Sequence, residues 1–187
     1  MIELSKNQRV QLLRLARKTI AEALEIQQDD MVSFDEKIFK EKCGAFVTLH
    51  SCGELRGCIG YIVGIKSIPE TICDMARASA FNDPRFEALC REEFDRIDIE
   101  ISLLSPLEPI TDASEITVGR DGLIITRGFH TGLLLPQVAV EQGWDREQFL
   151  DHTCFKAGLP GNAWKLPGTK IEKFSAQVFG EKELGLV

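Results

Sequence analysis

Val10, Leu13, Ala16, Ile20 and Leu24 recur at the three-and-four spacing of a helix and give one apolar stripe. Ser5 followed by Gln8 is a capping box and marks its start. Asp29-Asp30 is expected to end it. From Cys43 to His50 the period drops to two, with Ala45, Val47 and Leu49 on one face and Phe46, Thr48 and His50 on the other, as in a strand. Ser51-Cys52-Gly53 then turns the chain toward Leu55-Arg56-Gly57-Cys58-Ile59-Gly60, expected to be extended and hairpinned onto that strand. Ser67 with Glu70, and Pro69 in the first turn, predict a helix to about Ala80. Asn82-Asp83-Pro84 closes it as a turn.

Ile97 to Leu103 alternates cleanly, the signal of a half-buried strand, and Pro106 and Pro109 stop it. Gly122 to Thr126 reads as another strand, entered through the turn Arg120-Asp121-Gly122. Arg127 to Gly132 reads as a flexible loop leading to a short helix that Pro136 opens and that runs through Glu141. Asp145 with Gln148 caps a further helix with the stripe Leu150, Cys154 and Ala157, stopped by Gly158 and Pro160. Lys170 to Phe179 is the last strand. The chain shows no internal repeat, low-complexity tract or linker.

Composition narrows the classes. Hydrophobic residues make up 44% and charged residues 27% of 187 residues, a globular balance. No run approaches the roughly 18 consecutive apolar residues of a membrane span. Met1 to Lys6 has no apolar stretch of a secretory signal. The six cysteines are scattered, so they are expected to be free thiols in the cytoplasm. A net charge of −7 opposes a phosphate backbone, and Arg14-Leu15-Ala16-Arg17-Lys18 is better read as a solvated helix face than as a nucleic-acid patch.

Cys58 is the most pointed chemical candidate. In an extended strand Glu54, Arg56 and Cys58 share a face, and a guanidinium beside a thiol favours the nucleophilic thiolate. Gly57 and Gly60 leave the backbone bare for a ligand or another segment. The same residues also suit a small buried cysteine, with glycines that allow tight packing or a bulge. Glu100, beside Asp98 and Ser102 on a polar strand face, is a candidate general base or a solvated carboxylate. Asp83 and Arg85 flank Pro84 and suit either a ligand carboxylate clamp or a turn-stabilising pair. His130 suits pairing with Cys58 in thiol catalysis, or a surface position. Cys154 belongs to a helix core stripe. Neither zinc spacing nor a glycine-rich phosphate loop occurs, so no metal and no cofactor is assigned.

The hexapeptide Leu55 to Gly60 resembles the hallmark motif of the AMMECR-one domain family, which includes the AmmeMemoRadiSam system protein A group. Asp83-Pro84-Arg85-Phe86, Glu100 to Pro106, Leu134 to Ala139, Gly143-Trp144-Asp145, Phe149-Leu150 and Thr153 to Leu159 resemble further family blocks in order. The resemblance covers nearly the whole chain. It implies an α+β fold over residues 1–187, with a main antiparallel sheet flanked by helices and a smaller subdomain. It also implies partnership with Memo-like and radical SAM proteins. Two functions follow as expectations. One is a small enzyme or enzyme subunit with Cys58 as nucleophile. In it Arg56 lowers the thiol pKa or binds a substrate anion, Glu100 or His130 moves protons, and Gly57, Gly60, Asp83 and Arg85 line the site for an unknown small molecule. The other is a non-catalytic scaffold whose hexapeptide surface docks a partner.

Overall fold

Ser5 and Gln8 exchange bonds as the capping box requires: the Ser5 N–H donates to Gln8 Oε1 at 2.8 Å and the Gln8 N–H to Ser5 Oγ at 3.4 Å. They open α1 (Lys6–Ala23) in the computed structural model, which describes residues 3–28 and 33–187. The helix stops at Ala23; the expected stop at Asp29-Asp30 lies outside the described residues. The chain forms two compact units, one made of residues up to Leu104 together with Gln177–Val187, the other of Ser105–Ala176.

In the first unit, β1 (Ala45–Ser51) is the middle strand, antiparallel to β2 (Glu54–Tyr61) on one side and β3 (Ile97–Leu104) on the other. Ala45, Val47, Leu49, Ile99 and Ile101 turn to one face, as alternation demands. They pack there with Leu12, Leu13, Ala16 and Ile20 of α1 and Ile72, Met75 and Ala76 of α2 (Ile68–Phe81). Each large side chain so buried contributes about 1.5–3 kcal/mol of transfer free energy. The chain's last helix, α5 (Glu181–Leu184), ties into this core through Glu181. Its carboxylate accepts both Arg17 Nε and Nη2 at 2.6 Å, and the backbone N–H of Ile99 at 2.8 Å. Arg17 also donates to the Phe94 and Ile97 carbonyls, so this largely buried ion pair is hydrogen-bonded on every guanidinium nitrogen.

The second unit has the strand order β4 (Glu108–Ile110), β7 (Lys170–Gly180), β5 (Asp121–Arg127), β6 (His130–Leu134), all antiparallel, and β7 continues beyond Ala176 into the first unit. Pro109 does not prevent β4 because a three-residue edge strand tolerates a missing donor. The helices α3 (Pro136–Glu141) and α4 (Arg146–Lys156) contribute Ala139, Phe149, Leu150 and Cys154 to a core with Ile110, Leu123 and Ile125. Asp145 and Gln148 cap α4 reciprocally, each bond 2.9 Å. The expected loop from Arg127 to Gly132 is instead the tight β5–β6 hairpin, with Arg127 paired to His130. Where the chain enters and leaves this unit, the Ser105 N–H donates to the Ser175 carbonyl at 2.8 Å and the Ser175 N–H to Ser105 Oγ at 2.9 Å.

The architecture is therefore α+β, with antiparallel sheet and flanking helices. Among the described residues no helix is long and apolar enough to cross a membrane.

Candidate functional site

The hexapeptide lies wholly within β2, extended as the turn at Ser51 to Gly53 predicts. Its register against β1 is not regular. Leu49 pairs with Gly57 but His50 pairs with Leu55, so Arg56 is the extra residue of a bulge. That slip breaks the simple alternation that would align Arg56 with Cys58. The Arg56 guanidinium goes to Glu93, in the 310 turn Arg91–Arg96, through Nε at 2.8 Å and Nη2 at 3.0 Å. Glu93 also accepts the Cys90 N–H at 3.0 Å, and its carboxyl is held down to about 2, chiefly by the Arg56 bonds. Arg56 Nη1 is buried and has no hydrogen-bond partner.

The two glycines answer to packing. A Cβ on Gly57 would stand 2.2 Å from the Ser79 carbonyl oxygen of α2, and one on Gly60 would stand 2.3 Å from the Phe46 ring. Both positions let a neighbour approach more closely than any side chain permits.

Cys58 is held at its backbone by the Asp83–Arg85 pair. The Cys58 N–H donates to Asp83 Oδ2 at 2.9 Å, and Arg85 Nη2 donates to the Cys58 carbonyl at 3.3 Å. Arg85 in turn grips Asp83 through Nε at 2.9 Å and Nη2 at 2.7 Å. Asp83 is 2% exposed at its side chain and Arg85 53%, so the carboxylate is the buried anchor and the guanidinium its solvated lid. The Arg85 bonds hold the Asp83 carboxyl far below the usual carboxylate range. Together the pair offers β2 one acceptor and one donor where a further strand would have offered the same.

The thiol itself accepts from the Thr48 hydroxyl at 3.3 Å. Burial pushes it above the ordinary thiol value; the Thr48 bond and the charge of Arg85 pull it down, while Asp83 and Glu100 push it up. The cation that acts on the thiol is Arg85, and Arg56 serves Glu93 instead. Glu100 stands on β3 opposite Thr48, which stands opposite Cys58, so the three form one row across three strands. His130 lies in the other unit, at the first residue of β6, where its Nδ1 meets the Ala157 carbonyl at 3.1 Å. All six cysteines are free, with Cys43 and Cys154 buried and Cys52 and Cys90 exposed. Among the described residues no cluster of three or more His, Cys, Asp or Glu is disposed to hold a metal.

Thr48 and Glu93 are the members of this neighbourhood that sequence reasoning missed. Thr48 was within reach, since alternation puts it on the polar face of β1. Glu93 was not, because it meets Arg56 across 37 residues without any local signal.

These features define an α+β domain that carries a glycine-bounded cysteine strand, and comparisons with known proteins give its family. The chain belongs to the AMMECR1 family, whose model matches residues 13–179. A protein of Methanothermobacter thermautotrophicus is 43% identical over 185 residues, covering 95% of this chain and 96% of its own. Protein MJ0810 of Methanocaldococcus jannaschii is 45% identical over 179 residues, covering 91% and 89%. The crystal structure of the uncharacterized protein PH0010 from Pyrococcus horikoshii is similar, with a TM-score of 0.83 and 43% identity over 91% of this chain and 90% of that one.

Proposed function

We propose that this chain is a non-catalytic docking component of a cytoplasmic complex with Memo-like and radical SAM proteins, and that it engages protein rather than nucleic acid. One observation carries the reading. The hexapeptide's Cys58 backbone and Arg56 guanidinium have partners inside the fold, while the end of β2 and the irregular segment after it expose apolar side chains. These are Tyr61 at 39%, Val63 at 61% and Ile65 at 61% exposure. Exposed large apolar side chains so close together in the chain are the kind of surface that a partner covers. The partners come from the family resemblance, and the net charge of −7 disfavours a phosphate backbone.

A thiol-dependent enzyme is the second reading, favoured by the row Cys58, Thr48, Glu100. Size-exclusion chromatography of the purified chain mixed with the Memo-like and radical SAM proteins of its own organism separates the two. Under the docking reading a complex forms, Val63→Asp and Ile65→Asp abolish it, and Cys58→Ser leaves it intact. Absence of a complex, or turnover by the mixture that disappears with Cys58→Ser, transfers the case to the enzyme.

A further inference from the structure

The sheet of the second unit carries a cleft that the hexapeptide does not touch. Across β4, β7 and β5 the side chains fall into rows. Ile110, Ile171 and Ile125 form the first, and Ile110 and Ile125 lie in the core. One row along stand Glu108, Lys173 and Leu123; beyond it Ser175 is paired with Asp121. The apolar rows are covered. The polar end opens into a cavity of about 330 Å³ lined by Ser105, Glu108, Arg120, Asp121, Lys173 and Ser175, with Phe174 as its apolar member. That volume is within the range of small-molecule sites.

The charges here are fixed but not all mutually satisfied. Asp121 is buried and its two oxygens accept Arg120 Nε at 2.8 Å and Nη2 at 2.7 Å, with the Thr117 N–H on Oδ2 at 2.8 Å. Arg120 is thereby engaged through two of its three guanidinium nitrogens, with its side chain 57% exposed. Lys173 and Glu108 are direct cross-strand partners, the geometry in which opposite charges ordinarily join. They make no ion pair. The Lys173 ammonium instead donates to the Glu115 carbonyl at 3.1 Å. The cleft therefore presents a cation and a carboxylate on facing strands, each with bonding capacity left, beside a second, ion-paired cation.

We propose that this cleft is a binding site for a small zwitterion of the α-amino acid class. The ligand carboxylate takes the Lys173 ammonium and the outward edge of Arg120, and the ligand ammonium takes the Glu108 carboxylate. The two cations of the wall are balanced by its two carboxylates, which suits a ligand of no net charge and disfavours a polyphosphate. This inference does not rest on the docking reading.

The test is a titration of the ¹⁵N-labelled full chain with the standard L-amino acids, each singly at millimolar concentration, followed by amide chemical shifts. Saturable shifts at Ser105, Gly122 and Ser175 with one or more amino acids are expected. Lys173→Gln and Glu108→Gln should each weaken that binding by roughly tenfold or more without lowering the unfolding temperature. The N-acetylated and the C-amidated forms of the same amino acid should each bind more weakly, because each removes one charge. The assignment is overturned if no amino acid shifts these amides, if binding survives both substitutions, or if the capped forms bind as well as the free one.

Discussion

Asp83 Oδ2 accepts the backbone N–H of Cys58 at 2.9 Å, so the outer edge of β2 ends on a buried carboxylate rather than on water. With Arg85 on the Cys58 carbonyl, the pair satisfies both backbone groups of Cys58 at this sheet edge. It also makes a strand held by ionised side chains sensitive to acid.

Both carboxylates that hold this edge titrate below their ordinary values, Glu93 from 4.5 to about 2 and Asp83 lower still. A depressed folded pKa stabilises the protein above the unfolded value, and that stability is lost as pH falls through the folded one. Urea midpoints should therefore drop between about pH 4.5 and about pH 2, with proton uptake on unfolding. Asp83→Asn should cost about 1–3 kcal/mol at neutral pH, because a charge-assisted bond to a buried amide is weakened. It should also flatten the acid limb. An unchanged limb in Asp83→Asn and Glu93→Gln together would remove these groups from the account.

Two glycine substitutions should separate packing from backbone strain. Gly57→Ala drives a methyl into the Ser79 carbonyl of α2 and should cost about 3 kcal/mol, with the helix displaced. Gly53→Ala meets nothing within 4 Å but sits at φ +85°, so it should cost only about 1 kcal/mol. Equal costs in chemical denaturation would show that α2 yields easily.

Cys58 should alkylate more slowly than the exposed Cys52 near neutral pH, since burial raises its thiol and limits access. Cys43, buried and pushed up to about 11, should be slower again. Thr48→Val removes the donor that favours the thiolate and should slow Cys58 further. Arg56→Ala should leave its rate unchanged. Iodoacetamide labelling followed by mass spectrometry reads all of these, and a Cys58 faster than Cys52 would restore the nucleophile.

Glu181→Gln should cost about 3 kcal/mol, because it leaves the Arg17 guanidinium without its counter-charge in a largely buried setting. Thermal unfolding of the variant checks it, and a loss under about 1 kcal/mol would mean that water reaches Arg17.

The elements with local signals were legible in sequence. Ser5/Gln8 and Asp145/Gln148 mark helix starts with residues three apart, and the alternation of Ile97 to Leu103 depends on nothing beyond the strand itself. The hairpin onto Leu55 to Gly60 followed from a turn between two extended runs. What escaped were relationships set by distant partners. The bulge at Arg56 depends on how β1 and β2 register, and Glu93 reaches Arg56 from a turn with no periodicity. His130 looks like a loop residue in sequence because the Gly128-Phe129 turn leads into a strand only five residues long. The Asp83 and Arg85 pairing was legible from their spacing, but not that the pair would close on Cys58.

The first unit is closed by Glu181, near the end of the chain, while Ser105 to Ala176 are complete between two neighbouring ends. On the ribosome, the middle of the polypeptide can therefore reach its final form while α1 and β1 to β3, though made earlier, still wait for their last counter-charge. A nascent chain halted before Gln177 should expose the buried Arg17 site and the unfinished sheet to chaperones. The residues that complete the first unit are in this respect synthesised after those of the second.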